Sequence, residues 1–340
     1  MRTPVFLLIW LAIAGAVFGA AMAFDNDYVF FAGYVIMQYI VLSTAWNILG
    51  GYCGYLNFGS AAFFALGAYS TVAIYKYTTG GDEPSTFSMP IPFLMLIGGA
   101  ASAAVGFGMG YLTLRLRGAF FAIATLALAV VLETLVVNWD YVGGSRGAYI
   151  IRPEDIWPIG NYIRYLFLMM MLLAVAAMTI ARLIERSRLG YGFATIRDDE
   201  LAAEASGVPT LRLKLIATTI SGGLMGMAGA PFPYYIGFLQ PDSTFGLDYA
   251  VNSIAMPLIG GTTSWVGPLI GTLLLGSLQQ IATVTISSAV NLLIVGILLV
   301  FFVVVAPNGI VGLFHTYFQR KPEEFVGRRR VDTDAPGTVP

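Results

Sequence analysis

The sequence predicts an all-α membrane protein whose helices cross a lipid bilayer about eight to ten times. Of its 340 residues, 57% are hydrophobic and only 11% are charged, whereas soluble domains have about 25% charged residues. The mean hydropathy is +0.77. Many apolar runs of about 18–22 residues are long enough to cross a hydrocarbon core of roughly 30 Å.

Ten apolar segments can be followed along the chain. The first resembles a secretory signal peptide, since Arg2 precedes it and an Ala-x-Ala site ends it. Its apolar run is longer than a typical signal core, so we expect a retained span. Gly106 and Gly110 give the fourth segment a face of small residues. The predicted segments are 4–23, 28–49, about 60–77, 92–114, 119–137, 162–183, 215–235, 249–259, 267–286 and 289–306.

The distribution of basic residues predicts the orientation. With ten crossings and a cytoplasmic N-terminus, all but four of the 18 Lys and Arg residues lie inside, as the positive-inside rule requires. The C-terminus is then also cytoplasmic. We expect residues 1–319 to form one transmembrane domain with a cytoplasmic loop at 185–212, and the charged tail 320–340 to be disordered. The four exceptions are Lys76, Arg146, Arg152 and Arg164.

Several kinds of chemistry find no support in the sequence. The single cysteine, Cys53, excludes an intrachain disulfide and a cysteine-rich metal site. The basic residues are dispersed, which gives no nucleic-acid footprint. None of the lysines follows a glycine, so the chain has no phosphate-binding P-loop of its own. We therefore expect no catalytic residue, metal or cofactor in this chain.

Residues 187–209, called the polar segment below, form the longest polar run between apolar segments. Thr195 and Asp198 fit a capping box, and acidic residues occupy the expected first helical turn. Gly207 fits the left-handed position after a helix, and Pro209 prevents continuation. The pattern predicts one capped helix on the cytoplasmic surface. It is either an ordinary loop or a docking helix for a partner.

Glycines interrupt apolar sequence twice, once in each half of the chain. Gly50, Gly51, Gly54 and Gly59 form the first interruption, and Gly260, Gly261 and Gly267 form the second. Paired interruptions of this kind favour a translocation path between the two halves. The alternative is that the glycines only allow tight helix packing.

Polar residues inside predicted spans are the other candidates for the path. Glu133 lies near the outer end of its span, so its carboxylate either serves the path or reaches the interface. The other candidates are Asn47, Asn57, Ser60, Thr125 and Asn252.

Residues 143–147, Gly-Gly-Ser-Arg-Gly, match the nucleophile-elbow pattern of serine hydrolases. A serine nucleophile needs a base beside it, and the one histidine, His315, is expected on the opposite side of the membrane. We therefore interpret the match as a chance occurrence in a glycine-rich external turn.

The chain resembles the LivM-type permeases of ABC importers for branched-chain amino acids. The stretches that carry the resemblance follow the family's order and cover most of residues 40–312. The second interruption departs from the family pattern Gly-Gly-x-Gly-Ser at Thr263, where the family has glycine. The matching stretches are 45–69, 116–126, 143–147, 187–209 and 259–271.

This resemblance implies that the polar segment lies in a groove of a cytoplasmic ATPase and passes its motion to the membrane part. It also implies two ATPase subunits that bind ATP with Mg²⁺, a second related permease, an external substrate-binding protein and a bacterial inner-membrane location. For residues 143–147 it implies a family glycine motif in which Gly143 and Gly144 line the entrance, the alternative being a plain turn. The residues that match the coupling motif are Arg197, Asp198, Asp199, Glu200, Ala203 and Gly207.

Other functions remain open from the sequence. Permeases for urea or short amides belong to the same family. An ion-coupled transporter would need intramembrane carboxylates, of which Glu133 is the one candidate. A membrane enzyme would need a nucleophile and base, or metal ligands, on one side of the membrane.

Overall fold

The computed structural model describes residues 3–24, 26–79, 89–113, 116–152, 155–156, 160–285, 293, 296–302 and 309–312. The predicted tail 320–340, residues 80–88 and most of the tenth predicted segment lie outside these ranges. The first helices are α1 (Thr3–Ala23), α2 (Asp27–Asn47), α3 (Ser60–Thr79), α4 (Ile91–Thr113), α5 (Ala119–Val137), α6 (Tyr162–Glu185) and α7 (Arg188–Asp198). They are followed by α8 (Glu200–Ala205), α9 (Thr210–Gly229), α10 (Phe232–Ile236), α11 (Pro241–Thr244), α12 (Leu247–Gly260) and α13 (Val266–Thr285).

The helices confirm a polytopic α-helical membrane protein. Seven of the described helices are long and apolar enough to cross a bilayer. Helix α12 has only 14 residues, a length of about 21 Å, so it does not span the hydrocarbon core alone. The finer expectation of about ten crossings stays a prediction, as does the division into one domain and a tail.

Close helix packing in the core depends on glycine. Helix α9 packs along α4 and α3. A Cβ atom on Gly226 would lie 2.2 Å from Ser102 Oγ, and one on Gly67 would lie 2.0 Å from the carbonyl oxygen of Gly226. Gly106 of the predicted small-residue face also lies against α9, near the carbonyl oxygen of Thr218. Small residues let these backbones approach, as is common between helices in membranes.

The polar segment contains two helices, so the prediction of a single helix is wrong. Ser187 caps α7, and the Phe193 and Ile196 side chains of this helix are buried. Because of this packing, the first helix of the segment begins at Arg188 and not near Thr195 as predicted. Thr195 lies inside α7 rather than at a cap, and its hydroxyl donates to the carbonyl of Gly192. Asp199 has extended backbone geometry and caps α8 by accepting from the Ala202 N–H.

The predicted end of this segment is confirmed. Gly207 has a left-handed φ of 81°. Its N–H donates to Glu204, and the N–H of Val208 donates to Ala203, each at 3.0 Å. These are the two hydrogen bonds of a Schellman motif, which satisfies the last carbonyls of α8. Helix α9 begins directly afterwards at Thr210.

The two ends of the helix bundle differ. The polar segment defines the loop end, where α6 ends and α9 begins. The opposite end holds short helices and two small antiparallel sheets, in which Ala148 pairs with Leu239 and Asp155 with Asn161. The strands are β1 (Ala148–Tyr149), β2 (Asp155–Ile156), β3 (Gly160–Asn161) and β4 (Phe238–Leu239).

Candidate functional site

The first interruption follows α2 without leaving the core. Ile48–Tyr52 form a π-helical turn, and the chain then runs without helix until Ser60. A Cβ atom on Gly50 would lie 2.4 Å from the ring of Trp46. Gly54 has a φ of 78°, which favours glycine. π-helical turns are frequent at functional sites because they bend a helix locally.

The second interruption lies against the first. A Cβ atom on Gly51 would lie 2.5 Å from the carbonyl oxygen of Thr262. The carboxylate of Glu185, the last residue of α6, joins the two stretches. It accepts from the Tyr52 hydroxyl at 3.3 Å and from the Trp265 N–H at 2.9 Å. The two interruptions therefore meet at the loop end.

The glycines of the second interruption also serve packing. Cβ atoms on Gly260, Gly267 and Gly271 would each lie within 1.8 Å of a backbone oxygen. Gly261 has a φ of 118°. The sequence allows two interpretations of these glycines, tight helix packing or a translocation path. The geometry agrees with both, since the glycines pack closely against backbone and the second interruption also lies next to the first.

The structure brings several predicted path residues together next to the first interruption. The Asn57 side-chain oxygen accepts from the Gly59 N–H at 2.8 Å, and the Asn57 backbone carbonyl accepts from the Trp46 indole N–H at 2.9 Å. The Thr125 hydroxyl accepts from the Phe58 N–H at 3.1 Å. These buried bonds tie the start of α3 to α2 and α5.

Two further polar contacts place α12 beside these residues. The Ser60 and Ser253 hydroxyls share a hydrogen bond of 2.9 Å and are buried. Asn252 accepts from Gln279 at 2.8 Å and donates to the Tyr39 hydroxyl at 3.4 Å. The buried polar groups here are neutral hydroxyls and amides.

The other predicted path residues lie elsewhere. Glu133 is half-buried on the part of α5 that is nearer the opposite end. Gly143 and Gly144 lie in the turn after α5 and have left-handed φ values of 102° and 51°. A Cβ atom on Gly143 would lie 2.1 Å from the carbonyl oxygen of Gly147, so this turn requires glycine.

The geometry of this turn does not resemble a nucleophile elbow. The elbow is a sharp turn between a strand and a helix. Ser145 instead lies in a single 3₁₀ turn between α5 and β1 and is exposed. His315 lies outside the described residues. Among those residues, no group of three or more His, Cys, Asp or Glu side chains is placed to hold a metal ion.

Helices α7 and α8 contact the first interruption at two points. The Arg197 guanidinium donates to the carbonyl of Gly51 at 3.4 Å. A Cβ atom on Gly54 would lie 2.9 Å from Arg197 Cγ. Glu200 contacts Tyr55, whose hydroxyl donates a hydrogen bond to the Glu200 carboxylate. A cavity of about 170 Å³ lies between these two contacts and Gly118.

Glu200 is held inside the protein. Lys214 Nζ lies 2.6 Å from its carboxylate, and the two side chains are only 3% and 12% exposed, in that order. Arg117 approaches the same carboxylate at 3.7 Å from the exposed side. Of the residues that match the coupling motif, Ala203 is also buried, whereas the Asp198 side chain is 74% exposed.

The surroundings of Glu200 determine its charge. Burial alone would raise the pKa of its carboxyl, but hydrogen bonds from Lys214 and Tyr55 and the positive charges of Lys214 and Arg117 outweigh it. The net pKa lies below the ordinary value. Burial, together with the hydrogen bond to Glu200, raises the pKa of the Tyr55 hydroxyl. Near neutral pH, Glu200 is therefore ionised and Tyr55 is protonated.

Sequence reasoning missed the internal partners of this segment. The site residues that the sequence predicts do not include Tyr55, Arg117, Lys214 or Glu185. Lys214 was the one available signal, because a lysine buried in an apolar helix requires an anionic partner. The sequence alone does not identify that partner.

Comparison with known proteins identifies the family. A family model described as branched-chain amino acid transport system / permease component matches residues 28–303. The chain belongs to this family. The predicted resemblance is therefore confirmed.

Curated relatives agree with this assignment. The chain is 27% identical over 318 residues to the high-affinity branched-chain amino acid transport system permease protein LivM of Salmonella typhimurium, with 86% of this chain and 72% of the relative covered. The LivM protein of Escherichia coli is 28% identical, with 81% and 68% covered. The LivH permease protein of Salmonella typhimurium is 21% identical, with 81% and 91% covered. No solved structure matches the chain.

Proposed function

We propose that this chain is the membrane-spanning permease subunit of an ABC importer that moves branched-chain amino acids into the cell by alternating access. Family membership and similarity to the LivM permeases support the substrate class. The observation that carries the mechanism is the contact between the polar segment and the first interruption, through Arg197 and Gly51. It gives a partner bound to this segment a direct mechanical connection to the proposed path.

ATP hydrolysis belongs to partner subunits in this proposal. The proposal assigns no reaction to this chain itself, which is supported by its similarity to transport permeases and by a sequence without a P-loop. Two cytoplasmic ATPases would bind ATP with Mg²⁺ and dock on the polar segment. An external binding protein would deliver the substrate. A second, related permease would complete the membrane part, because Salmonella typhimurium has two different permease proteins of a branched-chain amino acid transport system, LivM and LivH.

The proposed path suits a zwitterion with an apolar side chain. Its polar side chains are the neutral groups of Asn57, Ser60, Thr125 and Asn252, surrounded by buried apolar residues. Neutral hydrogen-bonding groups can receive the ammonium and carboxylate of the substrate without the strong retention that a fixed opposite charge would cause. The same groups would accept urea or a short amide, so transport assays must include both.

The membrane location and its orientation complete the proposal. The apolar helices and the permease relatives support a multi-pass inner-membrane protein. The excess of basic residues on the loop end supports cytoplasmic termini. Single cysteines at Ser206 and Ser243 test this, because both positions are exposed and lie at opposite ends, while the native Cys53 is buried. An impermeant maleimide should label Ser243→Cys in intact cells and spare Ser206→Cys; the reverse pattern would overturn the orientation.

The docking surface can be tested without disturbing Glu200. Leu201 is 62% exposed on α8, and Ala202 and Ala205 beside it are also exposed. A small apolar surface of this kind permits close approach of a partner. We expect Leu201→Arg to abolish co-purification of the candidate ATPases, taken from the same gene neighbourhood, because a charged side chain would have to be buried in the interface.

The matched control is Ser243→Arg, which adds the same charge at the opposite end. It should bind the ATPases as the wild type does. If the wild-type protein binds no ATPase in a detergent that preserves other ABC complexes, the proposed function is wrong. If Leu201→Arg binds normally, the ATPase docks elsewhere.

A further inference from the structure

We infer that Tyr55, Glu200 and Lys214 form an internal seat, the part of the permease through which a displacement of α8 moves the first interruption. This inference rests on the proposed function, and it assigns roles to Tyr55 and Lys214 that the coupling motif does not include. They are positioning residues, since they act on the path through the backbone that they hold.

The seat joins three parts of the chain that are far apart in sequence. Glu200 is the first residue of α8, Lys214 lies in α9, and Tyr55 lies in the stretch between the π-helical turn and α3. Lys214 Nζ lies 2.6 Å from Glu200 and 3.2 Å from the Tyr55 hydroxyl. Tyr55 donates to the second carboxylate oxygen. Each member therefore contacts the other two.

Burial makes these contacts stronger than those of a surface ion pair. Exposed pairs contribute little because water and salt screen them and the side chains are mobile. Lys214 and Glu200 are nearly excluded from solvent, and the Tyr55 ring packs edge-on against Phe121 with 5.0 Å between the ring centroids. Moving α8 away from α9 would separate this buried ion pair. Because Tyr55 is hydrogen-bonded to the same carboxylate, α8 and Tyr55 are expected to move together.

The chain after Tyr55 passes this displacement to the proposed path. Asn57 accepts hydrogen bonds from the Trp46 indole and from the Gly59 N–H. The Phe58 N–H donates a hydrogen bond to Thr125, and the Ser60 hydroxyl shares one with Ser253. Successive residues are thus anchored to α2, α5 and α12. A shift at Tyr55 must change these contacts, because few unconstrained residues separate it from them.

Arg197 provides a second point of contact on the same stretch. It holds Gly51 at one end, while Glu200 holds Tyr55 at the other. The two helices of the polar segment therefore hold residues 51–55 between them. The cavity beside these contacts leaves room for the stretch to move.

The test compares ATP hydrolysis with substrate uptake in proteoliposomes that contain the complete transporter and its binding protein. We expect Glu200→Gln and Lys214→Met to keep bound ATPases and to hydrolyse ATP, while leucine uptake per ATP falls about tenfold. Tyr55→Phe removes only the hydroxyl group and should lower the same ratio with the fold retained.

Glu204→Gln is the matched control. Glu204 lies on the same short helix and pairs with Arg117 at 3.0 Å, but both side chains are nearly half exposed. It should leave uptake per ATP unchanged. The seat is refuted if Tyr55→Phe and Glu200→Gln transport with the wild-type ratio, or if Glu204→Gln lowers the ratio as much as they do.

Failure of the seat can be distinguished from failure of the proposed function. If the wild-type permease binds ATPases and transports leucine but the seat variants keep the wild-type ratio, only the seat is wrong. If the wild-type permease binds no ATPase, the proposed function itself fails. Should Lys214→Met not assemble, the conservative Tyr55→Phe variant still decides the question.

Discussion

Gly51 and Thr262, which are 211 positions apart in the numbering of the chain, lie so close that a Cβ atom on Gly51 would stand 2.5 Å from the carbonyl oxygen of Thr262. Each residue belongs to an interrupted helix, and Glu185 accepts hydrogen bonds from both stretches. The loop end therefore contains one compact junction rather than two separate breaks. Because the polar segment contacts this junction, movement there would change the loop end of the proposed path.

Gly51→Ala should impair transport more than it impairs folding. The added methyl group would collide with the Asn47 side chain and with the Thr262 backbone, and overpacking of this kind costs about 1–3 kcal/mol. We expect the junction to separate, with a loss of leucine uptake while ATPase binding persists. Gly15→Ala is the control, since nothing lies within 4 Å of a Cβ atom there. Normal uptake by Gly51→Ala would show that the junction tolerates separation.

Gly226→Ala should lower the stability of the membrane domain. Its methyl group would stand 2.2 Å from Ser102 Oγ and 2.6 Å from the carbonyl oxygen of Gly98, so α9 and α4 would have to move apart. We expect a lower midpoint of thermal unfolding in detergent, corresponding to about 1–3 kcal/mol. Gly108→Ala on α4 meets no atom within 4 Å and should unfold as the wild type does. Equal midpoints for the two variants would contradict the packing.

Replacing Glu200 should destabilise the protein in a pH-dependent way. Its pKa is lowered in the folded state, so its contribution to stability is present above the ordinary glutamate value of about 4.3 and is lost as the pH falls through the lower folded-state pKa. At pH 7, we expect Glu200→Gln to reduce the free energy of unfolding by about 3 kcal/mol, because the buried charge of Lys214 loses the carboxylate that lies 2.6 Å from it. The difference from the wild type should shrink as the pH falls below the ordinary glutamate value.

The control for this measurement is Glu204→Gln, whose exposed ion pair should contribute less than about 1 kcal/mol. The midpoint of thermal unfolding, recorded from pH 3 to pH 7, gives both comparisons. A difference between wild type and Glu200→Gln that stays constant over this range would show that the charge of Glu200 is not the cause.

Gly143→Ala should disrupt the turn at the opposite end. Gly143 and Gly160 both have left-handed φ values, of 102° and 82°. Only Gly143 has a backbone oxygen within 2.1 Å of the position of a Cβ atom, whereas nothing lies near Gly160. Gly160→Ala should therefore cost about 1 kcal/mol from backbone strain alone. Gly143→Ala should cost more, which the midpoints of thermal unfolding of the two variants would show.

The spans could be predicted from sequence because lipid imposes a simple rule on them. The predicted segment 119–137 coincides with Ala119–Val137, since Gly118 and Asn138 bound a predominantly apolar run. The seventh predicted segment, 215–235, corresponds to two helices in the structure, α9 and α10, which are separated at Pro231. The first of them begins five residues before the predicted start, at Thr210. Its start at Thr210 depends on the Schellman motif before it. Apolarity therefore predicted which segments are helical better than it predicted their ends.

The candidate site could be predicted only in part, because its contacts join distant residues. The glycines in the sequence indicate that two interruptions exist, one in each half of the chain. They do not indicate that Glu185 joins the two interruptions by hydrogen bonds. In the polar segment, burial of Phe193 and Ile196 decided the helix start against the local capping pattern at Thr195. The partnership of Glu200 with Lys214 and Tyr55 exists only in the folded chain, which is why the sequence suggested that Glu200 faces a partner protein.

The most direct test of the account is uptake of labelled leucine by proteoliposomes that contain this permease, its candidate partner permease, the ATPases and the binding protein. The account predicts uptake that requires ATP, is inhibited by isoleucine and valine, and is unaffected by urea. Uptake driven by a proton or sodium gradient without ATP would contradict the ABC mechanism. ATP-dependent uptake that urea or a short amide inhibits, and that valine does not, would contradict the substrate class.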